Sequence, residues 1–173
     1  MKISRVWAMP NKWTFKIKPI KELLNRYNVG KGWIDPFAGM YSMAEIRNDH
    51  LECCNAEYNM DAIDFVKSLN NHYVGCLLDP PYSIHEVKRH YDSIGLKYDF
   101  NNDPTCGFKK VKDIISNKVD RCISFGWNSV GLGKKRGFEI IEILLVSHGG
   151  NRNDTIVTVE NKLKVEGNGY RRI

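Results

Sequence analysis

An apolar stretch near the middle of the chain constrains the fold more than any other feature of the sequence. Residues 72–78 (HYVGCLL) are mostly apolar and show no alternation between apolar and polar side chains. Such a stretch is typical of a strand that is buried on both faces of a parallel sheet. Helical patterns over 61–69 and 84–91 flank it on either side. Strands that alternate with helices in this way predict an α/β fold.

The other segments extend this pattern to both ends of the chain. Helices are predicted over 19–27 and 107–118, and strands over 32–35, 121–125, 138–147 and 155–163. A turn over 148–154 joins the last two strands, and a glycine-rich basic loop spans 126–137. We therefore predict one domain over residues 1–173, with a mostly parallel, doubly wound sheet. The antiparallel C-terminal hairpin is expected at the edge of that sheet, followed by a frayed tail over 167–173.

Length and charge narrow the classes of protein that the chain can be. A chain of 173 residues can bury a full core, so its stability requires neither disulfides nor a metal. Five cysteines without a C-x-x-C pair favour reduced thiols, and we expect no metal site. No apolar run reaches the roughly 18 residues of a membrane span, and the N-terminus lacks an apolar signal core, so we expect a soluble, intracellular protein. The net charge of +6 favours a polyanionic partner.

A carboxylate, two prolines and a tyrosine directly follow the buried strand, as Asp79-Pro80-Pro81-Tyr82. In an open α/β sheet, ligands bind in the crevice beyond the carboxyl ends of the strands. Asp79 and the Pro80 carbonyl can there accept both N–H bonds of an exocyclic amine, while Tyr82 stacks on its ring. Accepting both hydrogens localises the nitrogen lone pair and makes the amine a better nucleophile. The alternative is a rigid turn in which Asp79 caps a nearby group.

A second motif, Asp35-Pro36-Phe37-Ala38-Gly39, ends the strand predicted over 32–35. Together the two motifs resemble those of S-adenosylmethionine-dependent amino-methyltransferases that act on adenine in DNA. In that family, D/N/S-P-P-Y/F holds the target amine and D-P-F-x-G opens the cofactor site. The segment 13–19 is similar to the family's N-terminal cofactor motif, and the likeness extends to residues 125–129 and the hairpin over 137–160. More narrowly, the sequence resembles compact adenine methylases of phages and other mobile elements.

The resemblance implies a Rossmann-like methyltransferase fold and assigns roles to particular residues. The catalytic residues would be Asp79, Pro80, Pro81 and Tyr82. The residues that hold S-adenosylmethionine would be Trp13, Thr14, Phe15, Asp35, Pro36, Phe37, Ala38, Gly39, Asp49, Asp61 and Ala62. Within that set, Asp49 resembles the acid that binds the ribose, and Asp61 resembles the acid near the adenine. Because Asp61 stands at a helix start, it also suits the role of an N-cap.

The turn after Gly39 departs from the family pattern. Met40-Tyr41-Ser42 follow it, where the family usually has Ser or Thr and another Gly. Asn48 comes only nine positions after Gly39, which leaves little space for a helix between two parallel strands. We expect an unusual cofactor loop at this point.

The activity implied by the resemblance is methyl transfer to the N6 amine of adenine in DNA, after the base is flipped out of the stack. Candidate DNA contacts are Lys88, Arg89, Lys134, Lys135 and Arg136, for which a solvated charged surface is the alternative. Trp127 and His148 are candidates for the base pocket, and a core or turn role is equally open. Because 173 residues leave no room for a separate recognition region, we expect a homodimer or a very short recognition sequence. Such a protein would work in the cytoplasm of a bacterium or a phage-infected host.

Three other functions fit parts of the sequence. The same motifs serve methylation of adenine in RNA. A cytosine amine is a second target, although the family's cytosine enzymes more often have Ser in place of Asp79. A DNA-binding module with a decayed active site is the third, and the altered turn after Gly39 favours it.

Overall fold

A central sheet with helices on both faces forms the fold. The computed structural model describes residues 1–93, 95, 97, 107–150, 152–166 and 169–171. The strands are β1 (Lys2–Trp7), β2 (Trp33–Asp35), β3 (Ile46–Arg47), β4 (Tyr73–Leu78), β5 (Val119–Gly126), β6 (Phe138–Ser147), β7 (Thr155–Lys162), β8 (Lys164–Glu166) and β9 (Gly169–Arg171). The α-helices are α1 (Lys18–Arg26), α2 (Ala62–Ser68), α3 (Ile84–Ser93) and α4 (Phe108–Ile115). No helix in the described part of the chain is long and apolar enough to cross a membrane.

Seven of the strands form the central sheet, in the order β1-β6-β7-β5-β4-β2-β3. β7 is antiparallel to both of its neighbours, and the other pairs are parallel. The predicted α/β class and the mostly parallel sheet are therefore confirmed. The prediction that the C-terminal hairpin lies at the sheet edge is wrong, because β7 is inserted between β5 and β6, and β1 pairs with the free side of β6. The sequence pattern misses β1 because this edge strand leaves Ile3 and Trp7 largely exposed.

Helices pack on both faces of the sheet, which makes it doubly wound. On one face, here called the α1 face, α1 contributes Ile20, Leu23 and Leu24 to the core. On the opposite face, here called the α4 face, the core includes side chains of α2 and α4. Adjacent residues of β4 point to opposite faces, with Cys76 in one core cluster and Leu77 in the other. This two-sided burial explains why residues 72–78 do not alternate in polarity.

The C-terminal tail is partly ordered. β8 pairs with β9 in an antiparallel two-stranded sheet, with Lys164 opposite Arg171. The prediction of a frayed tail is therefore wrong for residues 169–171, because their backbone hydrogen bonds are made within this hairpin. Residues 167, 168, 172 and 173 lie outside the described residues.

The carboxyl ends of the parallel strands meet at one side of the sheet, here called the carboxyl edge. β2 ends there at Asp35, β4 at Leu78 and β5 at Gly126. Residues 36–45 connect β2 to β3 without a helix, as the short spacing predicts. The two motifs, which follow β2 and β4, are thereby brought to neighbouring positions at this edge.

Candidate active site

A cavity of about 670 Å³ opens at the carboxyl edge. Its volume falls within the roughly 300–1,000 Å³ typical of small-molecule sites. Most of the predicted catalytic and cofactor residues line it, namely Trp13, Thr14, Phe15, Pro36, Phe37, Gly39, Asp49, Asp61, Ala62, Asp79, Pro80, Pro81 and Tyr82. The structure therefore brings together residues that lie far apart in the sequence.

Asp35 and Ala38 belong to the predicted cofactor set but lie beneath the cavity wall. Asp35 is fully buried, and its carboxyl oxygens accept hydrogen bonds from the Phe37 amide (3.0 Å) and the Ser42 hydroxyl (2.6 Å). Burial raises the pKa of Asp35 to about 8, although these hydrogen bonds partly oppose the increase. Asp35 therefore shapes the loop from inside, and Ser42 supports it in a chain whose loop lacks the usual glycine. Ala38 is buried as well.

Asp49 connects the loop after β2 to the end of β3. Its two carboxylate oxygens accept hydrogen bonds from the amides of Gly39 and Leu51, each at 2.8 Å. Gly39 has φ +54°, a backbone conformation that favours glycine, so its amide can point at the carboxylate. Asp49 thus supports the cofactor loop and also faces the cavity.

Asn48 has a structural role that the sequence reasoning did not assign. Its side-chain amide donates to the carbonyls of Pro36 (3.1 Å) and Met60 (3.0 Å), and its oxygen accepts from the Met60 amide (3.1 Å). The side chain is buried and so satisfies both segments from within. One asparagine thereby ties the loop after β2 to the segment before α2.

Asp61 has both of the roles considered for it as far as its position allows. One carboxylate oxygen accepts from the Ile63 amide at 2.8 Å, which makes Asp61 the N-cap of α2. The other accepts from the Tyr91 hydroxyl at 3.1 Å. The N-cap interpretation is confirmed, and the carboxylate still lines the cavity.

Asp79 and Tyr82 interact directly at the wall of the cavity. The Tyr82 hydroxyl donates a short hydrogen bond to one Asp79 oxygen. Burial raises the pKa of Asp79 to about 6, and hydrogen bonds from Tyr82 and Thr14 limit the increase. The pKa of Tyr82 is raised by burial and by the neighbouring Asp79 carboxylate. At neutral pH, Asp79 is therefore mostly ionised and Tyr82 keeps its proton.

Glu86 holds the catalytic turn, a role that a sequence signal could have revealed. Its carboxylate accepts from the Tyr82 amide at 2.7 Å, and its own amide donates to the Ser83 hydroxyl at 3.2 Å. Ser83 and Glu86 have the S-x-x-E spacing of a capping box at the start of α3. The helix start thus fixes the backbone of Tyr82.

A second cavity of about 280 Å³ lies on the other side of the same motif. Pro80, Pro81 and Tyr82 line both cavities. Trp127 lines the second one and makes an edge contact with Tyr82, with 5.6 Å between ring centroids. His148 is not at either described cavity: it is buried, and its ring nitrogens lie 3.0 Å from the Ala8 carbonyl and 3.0 Å from the Thr155 hydroxyl.

The predicted basic contacts are divided between two ends of the molecule. Arg89 lines the larger cavity, and Lys88 is exposed on the same helix. Lys134, Lys135 and Arg136 instead precede β6, whose first residue pairs with Lys162, whereas the end of β5 pairs with Ile156. Six residues of strand, roughly 20 Å, separate these levels. The structure therefore does not bring these three residues to the cavities.

Arg136 is also committed to contacts within the protein. Its guanidinium donates to Asp113 (2.8 Å) and to the Leu132 carbonyl (2.9 Å), which ties the glycine-rich loop to α4. Among the described residues, no group of three or more His, Cys, Asp or Glu side chains is arranged to hold a metal ion.

No family model matches the sequence, and no curated protein matches it. Solved structures share the fold. TrmN from Thermus thermophilus has a TM-score of 0.54 at 14% identity, over 85% of this chain and 49% of that one. The N-methyltransferase NodS from Bradyrhizobium japonicum WM9 has a TM-score of 0.54 at 7% identity, over 84% and 95%. SMU.776, complexed with SAH, has a TM-score of 0.52 at 12% identity, over 82% and 48%.

The chain spans about half of the length of TrmN and SMU.776, and most of the length of NodS. At these identities the likeness shows the fold. It agrees with the sheet order and with the single antiparallel strand β7 described above. The chain has a Rossmann-like methyltransferase fold.

Proposed function

We propose that this chain transfers a methyl group from S-adenosylmethionine to the N6 amine of adenine in DNA. The observation that carries the proposal is that the two cavities meet at the Asp79 motif, because Pro80, Pro81 and Tyr82 line both. A cofactor in the larger cavity and a base in the smaller one would approach each other beside Asp79. Holding two reactants in this way removes much of the entropic cost of their encounter.

The residues of the larger cavity fit S-adenosylmethionine. Asp49 and Asp61 face it, and a carboxylate oxygen that already accepts one hydrogen bond can accept another from a ribose or adenine group. Apolar side chains such as Phe37, Met60 and Ile63 offer a surface for a purine ring. When bound, the cofactor supplies an electrophilic methyl group on its sulfonium sulfur.

Asp79 would orient and activate the target amine. The amine nitrogen is a weak nucleophile because its lone pair is delocalised into the adenine ring. If its two N–H groups donate to Asp79 and to the Pro80 carbonyl, the lone pair is directed away from the ring. The N–C bond then forms as the donor's S–C bond breaks, and the nitrogen loses one proton. The Tyr82 hydroxyl now bonded to Asp79 would yield its place to the amine.

The smaller cavity favours a nucleobase as the acceptor. Its volume of about 280 Å³ admits a single flat base but no helix, so a base must leave the stack to enter. The Tyr82 and Trp127 rings stand at its wall, where either can contact a base face. The net charge of +6 favours a nucleic acid, and Lys88 and Arg89 on α3 are positioned beside the cavities to contact phosphates.

The proposal is tested by transfer of labelled methyl groups from S-adenosylmethionine to unmethylated DNA, followed by digestion and mass analysis of the nucleosides. The expected product is N6-methyldeoxyadenosine, and DNA without adenine serves as the control acceptor. Label on RNA alone, or on cytosine, would contradict the proposed substrate. Absence of transfer to any acceptor by a protein that binds the cofactor would contradict the reaction.

A further inference from the structure

Exposed aromatic side chains and cations continue along the carboxyl edge beyond the second cavity. Trp127 follows β5 and is 45% exposed, and Trp7 ends β1 and is 64% exposed. Arg152 is exposed in the connection between β6 and β7, which begins and ends at this edge. Because large aromatic side chains are rarely left this open without a partner, the arrangement calls for one.

Trp7 and Trp127 lie on the same side of the sheet. Val6 packs against the core of the α1 face, and side chains alternate along a strand, so Trp7 points to the α4 face. The second cavity opens on that face too, because Phe108 and Lys112 of α4 line it. β1 and β5 are three strand positions apart, roughly 14 Å at ~4.8 Å per strand.

Cations accompany both aromatic side chains. Arg5 precedes Trp7 on the same side of β1 and is exposed, and Lys112 lines the second cavity beside Trp127. The nearby acid Asp154 is engaged within the protein, where it accepts from the Ser147 hydroxyl (3.1 Å) and the His148 amide (3.0 Å). The surface therefore combines stacking platforms with uncompensated positive charge.

We propose that this surface, formed by Trp127, Lys112, Arg152, Trp7 and Arg5, binds an unpaired stretch of DNA next to the methylated base. The inference rests on the proposed function and names the form of its substrate. Exposed rings gain contact from the faces of unstacked bases, which a duplex hides and a single strand presents. A spacing of roughly 14 Å corresponds to about four stacked nucleotides at ~3.4 Å each.

An unpaired substrate also suits the second cavity. A base in a single strand can enter without the cost of breaking a base pair and a full stack. The stacking surface would hold the neighbouring nucleotides while one base lies between Tyr82 and Trp127. Recognition would then depend on access to an unpaired adenine, which agrees with a chain that has no separate recognition region in its sequence.

The test is fluorescence anisotropy with labelled oligonucleotides of about 16 nucleotides, as single-stranded DNA, as the matching duplex and as the same sequence in RNA, all at one salt concentration. Single-stranded DNA is expected to bind at least tenfold more tightly than the duplex. Trp7→Ala and Trp127→Ala should each weaken single-strand binding at least about fivefold, and Trp7→Phe should restore most of the loss. The double variant Lys134→Ala/Lys135→Ala is the matched control, since it removes two exposed cations at the opposite end of the strands and should change binding less than about twofold.

Duplex binding that equals or exceeds single-strand binding, or a Trp7→Ala variant that binds as wild type, would overturn the proposal. Tighter binding of RNA would overturn the assignment to DNA. Failure of the stacking surface is distinguishable from failure of the proposed reaction. Adenine methylation in duplex DNA that is indifferent to Trp7 would remove the surface and leave the reaction, whereas Trp7-dependent binding without any methyl transfer would do the reverse.

Discussion

Removal of one hydroxyl group should move the acid limb of the pH profile for methyl transfer. Tyr82 donates to Asp79, and this bond favours the ionised carboxylate whose pKa is about 6. A hydrogen bond to a charged group contributes roughly 1.5–3 kcal/mol. At about 1.4 kcal/mol per pKa unit, its loss in Tyr82→Phe raises the pKa of Asp79 by roughly one to two units. The reaction needs the carboxylate to accept N–H bonds, so the variant should require a correspondingly higher pH.

The assay is kcat/KM for methyl transfer from about pH 5 to pH 9, with cofactor affinity measured at each pH. Wild type should lose activity below about pH 6, and Tyr82→Phe should lose it below roughly pH 7 to 8 while the ring remains available for stacking. Tyr91→Phe is the matched control, because Tyr91 lines the same cavity but donates to Asp61. An acid limb that stays in place in Tyr82→Phe, or moves to lower pH, would refute the reasoning.

Three further variants test other parts of the site and fold. Asp35 has a folded pKa of about 8 and ionises near 4 when unfolded, so its contribution to stability is present below pH ~4 and is lost as pH rises toward 8; Asp35→Asn should therefore show a smaller loss of urea stability than wild type between pH 5 and pH 8. Gly131→Ala places a Cβ 1.9 Å from a buried Glu160 oxygen that the Leu132 and Gly133 amides hold, and should cost roughly 1–3 kcal/mol in urea unfolding, unlike Gly126→Ala, whose nearest contact is 3.9 Å. Asp49→Ala should weaken cofactor binding at least about tenfold by calorimetry, because it removes a ribose acceptor and frees the Gly39 and Leu51 amides; an unchanged affinity would remove Asp49 from the site.

The features that could be predicted from the sequence are those with a local cause. A strand buried on both faces must be apolar throughout, so β4 was recognisable from residues 73–78 alone. The placement of the two motifs follows from the rule that parallel strands end at one edge. That rule also brings Asp79 and Asp49 to the same cavity, although thirty positions separate them in the sequence.

The features that could not be predicted depend on distant pairings. The position of Lys134 and Lys135 follows from the insertion of β7 between β5 and β6, which sends the glycine-rich loop back along the sheet to the start of β6. Asp35 matches a cofactor motif by residue type, yet only the fold shows that its carboxyl group points under the loop toward Ser42. β1 escaped prediction because an edge strand with exposed Ile3 and Trp7 lacks the burial pattern on which strand prediction depends.

The central claim is that Asp79 activates a base amine for methylation, and one comparison tests it most directly. Methyl transfer to DNA and the dissociation constant of S-adenosylmethionine should be measured side by side for wild type and Asp79→Ala. The account predicts that the variant loses transfer at least about a hundredfold, as expected when a group that activates the nucleophile is removed. Its cofactor affinity should change less than about threefold, because Asp49 and Asp61 remain in place. Normal turnover by Asp79→Ala, or no adenine methylation by the wild-type protein, would contradict it.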